Sequence, residues 1–358
     1  MKILLFTIEY PPFKGGVANY YGNLVKHWPE KNNIKVLNNN SGILLCDKIR
    51  PKWLPAFWHF VKLNKQEKFG HIIIGQLLPL GIILYIYSFF NKISYSVIIH
   101  GMDINCATRK TRKKIISFKI LKKAEHIFCA SSYTAELVKD FIGRENQNKI
   151  KIINPGIEID IDLGKYQNEK ILQKYNLQNK IVLFTIARLV KRKGQDKVIE
   201  ALKRIYMVNP NIHYFIAGIG KHEAYLKENA GICPNIHFLG FLSDDEKWQW
   251  LKNVDIFIMP ARSIKGDFEG FGIVYLEAAL ASLPAIAGNT GGAKDAIVDG
   301  ETGLLVNPQS VDDIAGAILK LAQDDKLRKK MGVKGRERAI KDFEWSRQIK
   351  KIYKYINK

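Results

Sequence analysis

Glu269 and Glu277 bracket the run EGFGIVYLE (269–277) and are the side chains in this sequence best placed to do chemistry. Carboxylates accept hydrogen bonds from sugar and ribose hydroxyls. Gly270 and Gly272 flank an expected helix start, so the backbone N–H groups of Phe271, Gly272 and Ile273 would face an anionic ligand. Glu269 then precedes the helix and Glu277 lies roughly two turns along it, on a similar side. A capping glutamate followed by a surface glutamate fits poorly, because the surrounding residues are mostly apolar or glycine.

Two further stretches carry groups suited to phosphate. In ARLVKRKG (187–194), Arg188 and Lys193 sit five apart around a turn and can converge on a diphosphate. A pyrophosphate leaving group needs cations where its charge develops. A basic surface turn would read the same way. In EYPPFKGGV (9–17), Gly15 and Gly16 join an expected strand to a helix over 18–28. Paired glycines let a ligand approach the backbone, and the helix N-terminus offers free N–H groups. The spacing is not GxGxxG, which counts against a dinucleotide enzyme.

These loops need elements to hold them, and the sequence supplies alternating strands and helices. Strand patterns fall at KILLFT (2–7), IKVL (34–37), HIIIG (71–75), YSVIIH (95–100), HIFCA (126–130) and KIKII (149–153). They resume at KIVLFTIA (180–187), IHYFIAG (212–218), IHFLG (236–240), DIFIMP (255–260), PAIAG (284–288) and GLLV (303–306). Helical patterns such as 195–208 and 310–323 separate most of them, the signature of βαβ units and parallel sheets. The alternation pauses at Asn154, Pro155 and Gly156. This predicts an α/β protein of two doubly wound, Rossmann-like domains, 1–156 and 157–343, with ligands at the carboxyl ends of the strands in a cleft between them. An amphipathic helix over 344–358 is expected to pack back on the first domain. A chain of 358 residues suits two such domains.

The net charge is +22 and asks for an anionic partner: nucleic acid, a membrane surface or a substrate. Basic residues concentrate over 109–123, from Arg109 to Lys123, with Ile115, Ile116, Phe118, Ile120 and Leu121 interleaved. That pattern suits both a helix lying on an anionic membrane and a solvated helix whose apolar stripe joins the core. The N-terminal MKILLF is short, lacks a small-residue cleavage site and is not expected to be a signal peptide. Residues 72–90 carry no charge and are long enough to span a bilayer. Gly75, Gln76, Pro79 and Gly81 break the run, and it parses instead as a buried strand, a turn and a buried helix over 80–90. The expected location is cytoplasmic, with a peripheral position on the inner face of the membrane as a further expectation. Cys46, Cys106, Cys129 and Cys233 show no metal-ligand spacing and are read as buried apolar residues in a reducing compartment.

Taken together, these motifs resemble the large retaining glycosyltransferase family that carries an E-x7-E signature and includes sucrose, trehalose, lipopolysaccharide and phosphatidylinositol-mannoside transferases. The resemblance extends over nearly the whole chain. It takes in PPFKGG, His100 and Gly101 after the fourth strand, Asn154, Pro155 and Gly156, ARLVKRKG, AGIG (217–220), LGFL (239–242), and TGG (290–292) followed by DGETGLLV. Only the E-x7-E block is specific alone; the order and spacing of the set are very specific.

The resemblance implies a B-type glycosyltransferase fold, with a nucleotide-sugar held mainly by the second domain and the acceptor by the first. It implies Arg188 and Lys193 on the diphosphate, and Glu269 with the backbone of Phe271, Gly272 and Ile273 on the transferred sugar. Glu277 would hold the ribose, Gly240 and Phe241 border the base, Gly15 and Gly16 lie close to the phosphates, and His100 line the reaction centre. Retention without a carboxylate nucleophile implies front-face displacement, with the leaving phosphate helping to deprotonate the acceptor. Catalysis then rests on positioning and on electrostatic support of the leaving group. The block ARSIKGDFEGFGIVYLEAA (261–279) looks most like mannosyltransferases of phosphatidylinositol mannosides and bacterial surface polysaccharides. That favours GDP-mannose and a lipid-linked or glycan acceptor.

The chain departs from the family pattern at Ser282, Asp295 and Lys221, none of which has a proposed role. Asp160 and Asp162 imitate a metal-binding DxD in the linker, and no metal or other cofactor is expected. A nucleotide-sugar epimerase of the same fold lacks this E-x7-E block. A nucleic-acid-binding protein is suggested by charge alone, without a recognition module, and no nucleic acid is expected.

Overall fold

A computed structural model of the chain describes residues 1–357 apart from Lys14, Arg109, Gln167 and Asn168. The chain divides into two compact units, Met1–Gly156 with Trp345–Lys358, and Ile157–Glu344. Every strand expected from the sequence is present, within one residue at each end.

The first unit holds β1 (Ile3–Phe6), β2 (Ile34–Leu37), β3 (His71–Ile74), β4 (Ser94–Ile99), β5 (His126–Cys129) and β6 (Ile150–Ile152). They form a parallel sheet in the order β2-β1-β3-β4-β5-β6. Its helices are α1 (Gly16–Lys26), α2 (Leu54–Glu67), α3 (Leu80–Tyr87), α4 (Met102–Thr108), α5 (Thr111–Lys123) and α6 (Ser132–Ile142), joined by the C-terminal helix Trp345–Ile356. Alternate strand side chains point to opposite faces. Leu4, Phe6, Ile72, Ile74, Val97 and Ile99 pack with Phe60, Leu84, Ile120 and Leu121 on one side. Ile3, Leu5, Ile73 and Ile98 pack with Tyr21 and Leu24 of α1 and with Trp345, Ile349 and Ile352 on the other. Helices on both faces explain why these strands read as unbroken apolar runs.

The second unit holds β7 (Ile181–Ile186), β8 (Ile212–Ala217), β9 (Ile236–Gly240), β10 (Ile256–Met259), β11 (Ala285–Gly288) and β12 (Gly303–Val306), in the order β12-β11-β10-β7-β8-β9. Around them run α7 (Glu169–Lys174), α8 (Gln195–Tyr206), α9 (Glu223–Ala230), α10 (Asp244–Lys252), α11 (Ile273–Leu280), α12 (Ala293–Ala296), α13 (Val311–Gln323) and α14 (Asp325–Phe343). Both faces of this sheet are again packed, one around Phe184, Phe215, Phe257 and Tyr275, the other around Tyr214, Ile258, Ile286 and Ile314. The units are the two six-stranded, doubly wound α/β layers that the alternation of elements predicts.

Of three expectations about the first and second units, one needs correction. The basic stretch folds as one helix, α5, over Thr111–Lys123, and Arg109 lies outside the described residues. The apolar residues of α5 divide, with Ile120 and Leu121 fully buried and Ile115 exposed. Of the cysteines, only Cys129 is buried; Cys106 is exposed and Cys46 and Cys233 are half-buried. Their short side chains lie on loops and on the short helix α4, outside the sheet interiors. Over 72–90, the strand-turn-helix parse holds as β3 and α3, and no helix among the described residues is long and apolar enough to cross a membrane.

Strand order decides where ligands can be held. In the second unit the chain runs outward from β7 through β9, then returns to place β10 on the other side of β7. The loops after β7 and β10 therefore leave adjacent strands in opposite directions and open a crevice at this switch point. In the first unit the same reversal falls between β1 and β3.

Candidate functional site

The loop after β7 carries ARLVKRKG, whose last part winds into a single 3₁₀ turn, Lys191–Lys193. The loop after β10 carries Asp267 and Glu269. Gly194 has φ +80°, and a Cβ there would meet the Pro260 carbonyl oxygen at 2.2 Å, so glycine allows these loops to touch. Arg262 N–H donates to the Arg192 carbonyl at 2.8 Å, and the Arg262 guanidinium pairs with buried Asp196 at 2.6 Å.

This close approach builds a charge cluster. Lys193 Nζ lies 2.5 Å and Arg192 Nη1 2.6 Å from Glu269 Oε2, and Arg192 Nε lies 3.1 Å from Asp267. Burial pushes the Glu269 carboxyl upward, but Lys193 and Arg192 outweigh it and hold the group well below the usual carboxylate range. Both cations bind Oε2, and no donor among the described residues reaches Oε1, which keeps its lone pairs for a hydroxyl. Arg188 is exposed, and with Lys191, Arg192 and Lys221 it lines a cavity of about 560 Å³. The structure thus separates the expected pair: Arg188 faces the cavity and Lys193 lies buried on Glu269.

Beyond Glu269 the chain turns at Gly272 (φ +85°) into α11, whose N-terminus has no side-chain cap and no acidic residue in its first turn. The first N–H groups of α11 are therefore open to an anion. The TGG turn braces this loop from behind. Gly292 N–H donates to the Glu269 carbonyl at 2.8 Å, and a Cβ on Gly292 would meet the Gly270 carbonyl oxygen at 2.0 Å. Phe271 is buried, and Tyr275 anchors α11 through a 2.6 Å hydrogen bond to the Met259 carbonyl. Glu277 belongs to a separate pair, 2.7 Å from Lys247 of α10. The two glutamates of the signature thus answer to different cations. Gly240 closes β9 with φ +70° and open space around it, and Phe241 beside it is 67% exposed.

In the first unit, the residues after β1, β3 and β4 are drawn together. Gln76 Oε1 accepts from Ile8 N–H at 2.7 Å, tying the β1 loop to the β3 loop. Tyr21 of α1 donates its hydroxyl to the Gly75 carbonyl and lies 3.0 Å from His100 Nε2. A phenol has one proton, so His100 must donate through Nε2, leaving Nδ1 as the acceptor. Burial lowers His100 to about 4, so it is neutral at physiological pH. Asp103 accepts from His100 N–H at 3.0 Å and from the Leu77 backbone, and burial raises its carboxyl to about 6. Gly15 and Gly16 are exposed, and nothing lies within 4 Å of a Cβ placed on Gly16. The N-terminus of α1 has no side-chain cap and no acidic residue in its first turn. Lys14 lies outside the described residues.

The family model for glycosyl transferases group 1 matches residues 167–338, the span that holds the Arg192–Lys193–Glu269 cluster and α11. A GDP-mannose-dependent monoacylated alpha-(1-6)-phosphatidylinositol monomannoside mannosyltransferase of Corynebacterium glutamicum is 38% identical, over 97% of this chain and 95% of its own. The chain belongs to the group 1 glycosyltransferases. It is also 31% identical to the capsular polysaccharide biosynthesis glycosyltransferase CapM of Staphylococcus aureus, over 61% of this chain and 59% of that one. Among solved structures it is similar to Anabaena HepE in complex with UDP, with a TM-score of 0.81, 19% identity and full coverage of both chains. That likeness gives this glycosyltransferase the B-type fold. It is a hexosyltransferase of a family expected to retain anomeric configuration. The epimerase alternative gives way to this membership.

Three residues of this glycosyltransferase's clusters escaped sequence reasoning. Arg192 was hidden between Lys191 and Lys193, Lys247 sits on a helix with no motif, and Asp103 follows His100 at a spacing that suggests nothing until α4 turns it back. Among the described residues, no three His, Cys, Asp or Glu side chains are grouped as metal ligands, and Asp162 instead caps the Gly164 N–H at 3.0 Å.

Proposed function

We propose that this glycosyltransferase moves a mannose from GDP-mannose to a lipid-linked or glycan acceptor with retention, in the making of a cell-surface polysaccharide or glycolipid. The observation that carries the reading is Glu269 held through one oxygen by Lys193 and Arg192, with the other reached by no donor among the described residues. A diphosphate arriving on exposed Arg188 would share Arg192 and Lys193 with Glu269 and add to their charge balance. Glu269 Oε1 and the N–H groups of Phe271, Gly272 and Ile273 then hold the transferred sugar, and Glu277 takes the ribose. Phe241 is available for a base to stack upon. As the glycosidic bond lengthens, charge develops on the diphosphate, where fixed cations stabilise it without reorganising. These cations fill the role a metal would otherwise play, and no cofactor is assigned.

In the first unit, His100 Nδ1 is an acceptor suited to a hydroxyl, and the open backbone at Gly15 and Gly16 suits a phosphate. The 38% identical relative is named for an acylated phosphatidylinositol mannoside acceptor, which supports a lipid acceptor here. Exposed Arg112, Lys113, Lys114, Lys119, Lys122 and Lys123 on α5 support a peripheral position on an anionic membrane. Ile120 and Leu121 of its apolar stripe are in the core, so the attraction would be mainly electrostatic and weaken with salt.

Calorimetry and thermal shift against GDP, UDP, ADP and their sugars test the reading, with Glu277→Ala and Lys193→Ala beside wild type. Binding of GDP and GDP-mannose, weakened in both variants, is the expected result. A preference for UDP would overturn the donor, and binding unaffected by either variant would overturn the site.

A further inference from the structure

At the carboxyl end of the first unit's sheet, an apolar groove of about 410 Å³ opens between the starts of α3 and α5. Leu78, Pro79, Ile82 and Ile116 form it, and Arg112 and Lys113 stand at its rim. The first turn of α3 also packs against the last part of α5, where a Cβ on Gly81 would meet Ile120 at 3.0 Å, and this contact closes the groove on that side. The start of α5 adds to the positive rim, since it has no side-chain cap and no acidic residue in its first turn. The groove also adjoins the chemistry. Leu77, one residue before it, donates its backbone N–H to Asp103, which holds the His100 N–H at 3.0 Å.

We propose that this groove seats one acyl chain of a phosphatidylinositol-type acceptor, with its phosphodiester on Arg112, Lys113 and the free N–H groups of α5. The proposal rests on the lipid-acceptor reading above. An apolar floor under a cationic rim complements a ligand that is alkyl at one end and anionic at the other. A free sugar would leave the floor unused, and a zwitterionic lipid would gain nothing from the rim. The acceptor's sugar is then delivered beside His100, because the loop that forms the groove is the loop that fixes Asp103.

The test is calorimetry with soluble probes on the full chain: inositol 1-phosphate, phosphatidylinositols with two butanoyl or two hexanoyl chains, dihexanoyl phosphatidylcholine and farnesyl phosphate. One chain in the groove gains about fourfold in affinity per buried methylene, so dihexanoyl should exceed dibutanoyl phosphatidylinositol by about 15-fold. Ile82→Asp and Leu78→Ser should erase that chain-length gain while leaving inositol 1-phosphate unchanged. Arg112→Ala with Lys113→Ala should weaken every phosphate probe about tenfold or more. GDP binding, measured on each variant, should stay at the wild-type value and reports that the chain is folded. Affinity independent of chain length, or a gain that survives Ile82→Asp and Leu78→Ser, overturns the groove. Tighter binding of farnesyl phosphate, or equal binding of phosphatidylcholine, overturns the phosphatidylinositol occupant. If GDP also fails to bind wild type, it is the glycosyltransferase donor reading that fails, a result distinguishable from the others.

Discussion

Lys193 and Glu269 are 76 residues apart in sequence, yet Lys193 Nζ and Glu269 Oε2 meet at 2.5 Å in the interior of the second unit. Neither charge could be buried alone, and the pair exists because β7 and β10 are neighbours in the sheet.

Breaking that pair from one side should be costly. Glu269→Ala leaves Lys193 and Arg192 without their carboxylate and should destabilise the protein by about 3–5 kcal/mol, read as a fall in unfolding midpoint. GDP should recover part of the loss, because its diphosphate supplies the missing charge, and should raise the midpoint more in the variant than in wild type. The pH dependence has a definite sign. A carboxyl held below its usual range stabilises the fold fully above the unfolded value of about 4.3, and loses that contribution as pH falls through its lower folded value. Denaturation at several pH values should show the gap between wild type and Glu269→Gln narrowing in acid.

Glu277 of α11 and Lys247 of α10 make a second pair at 2.7 Å that is partly exposed. Its loss should be felt more in binding than in stability. Glu277→Gln should raise the KM for the nucleotide-sugar about tenfold, the worth of one charged hydrogen bond, with little change in kcat. Lys247→Ala should produce a smaller rise of the same kind. Steady-state kinetics that showed kcat falling with KM unchanged would place Glu277 on the reacting sugar instead of the ribose.

Asp103 and His100 titrate in opposite senses. Burial lowers His100 from 6.5 to about 4, so between those values the unfolded chain takes up a proton that the native state refuses, and stability falls as pH drops. Burial raises Asp103 from 3.8 to about 6, so in that range the native state keeps a proton that the unfolded chain releases, which favours the fold as pH drops. The two contributions offset each other between about pH 6 and pH 4. Asp103→Asn should therefore make the acid-side loss of stability steeper. It should also flatten any decline in activity below about pH 6, because the group that titrates there is gone.

Two glycine substitutions should separate packing from function. Gly292→Ala drives a Cβ to 2.0 Å from the Gly270 carbonyl, and should lower both stability and turnover by displacing the Glu269 loop. Gly16→Ala meets nothing within 4 Å and should leave the unfolding free energy within about 0.5 kcal/mol of wild type. A marked loss of nucleotide-sugar affinity in Gly16→Ala, with its stability intact, would show that the open backbone there is a binding feature.

How much of this was legible beforehand follows from the range of each interaction. Strand alternation, the pause at Asn154, Pro155 and Gly156, and the glycines before α1 and α11 are local features, and the sequence by itself determined them. It also determined which loops carry charge, because those loops follow strands whose ends can be read from composition. What it could not determine is which cation meets which carboxylate. Arg192, Lys247 and Asp103 acquired partners only when the order of strands in the sheets brought distant loops together, and that order depends on where each chain crossover turns. The fate of α5 was settled in the same way. Its spacing suits a membrane or a core equally, and only the packing around the first sheet decided that Ile120 and Leu121 are buried while Ile115 and the cations face outward.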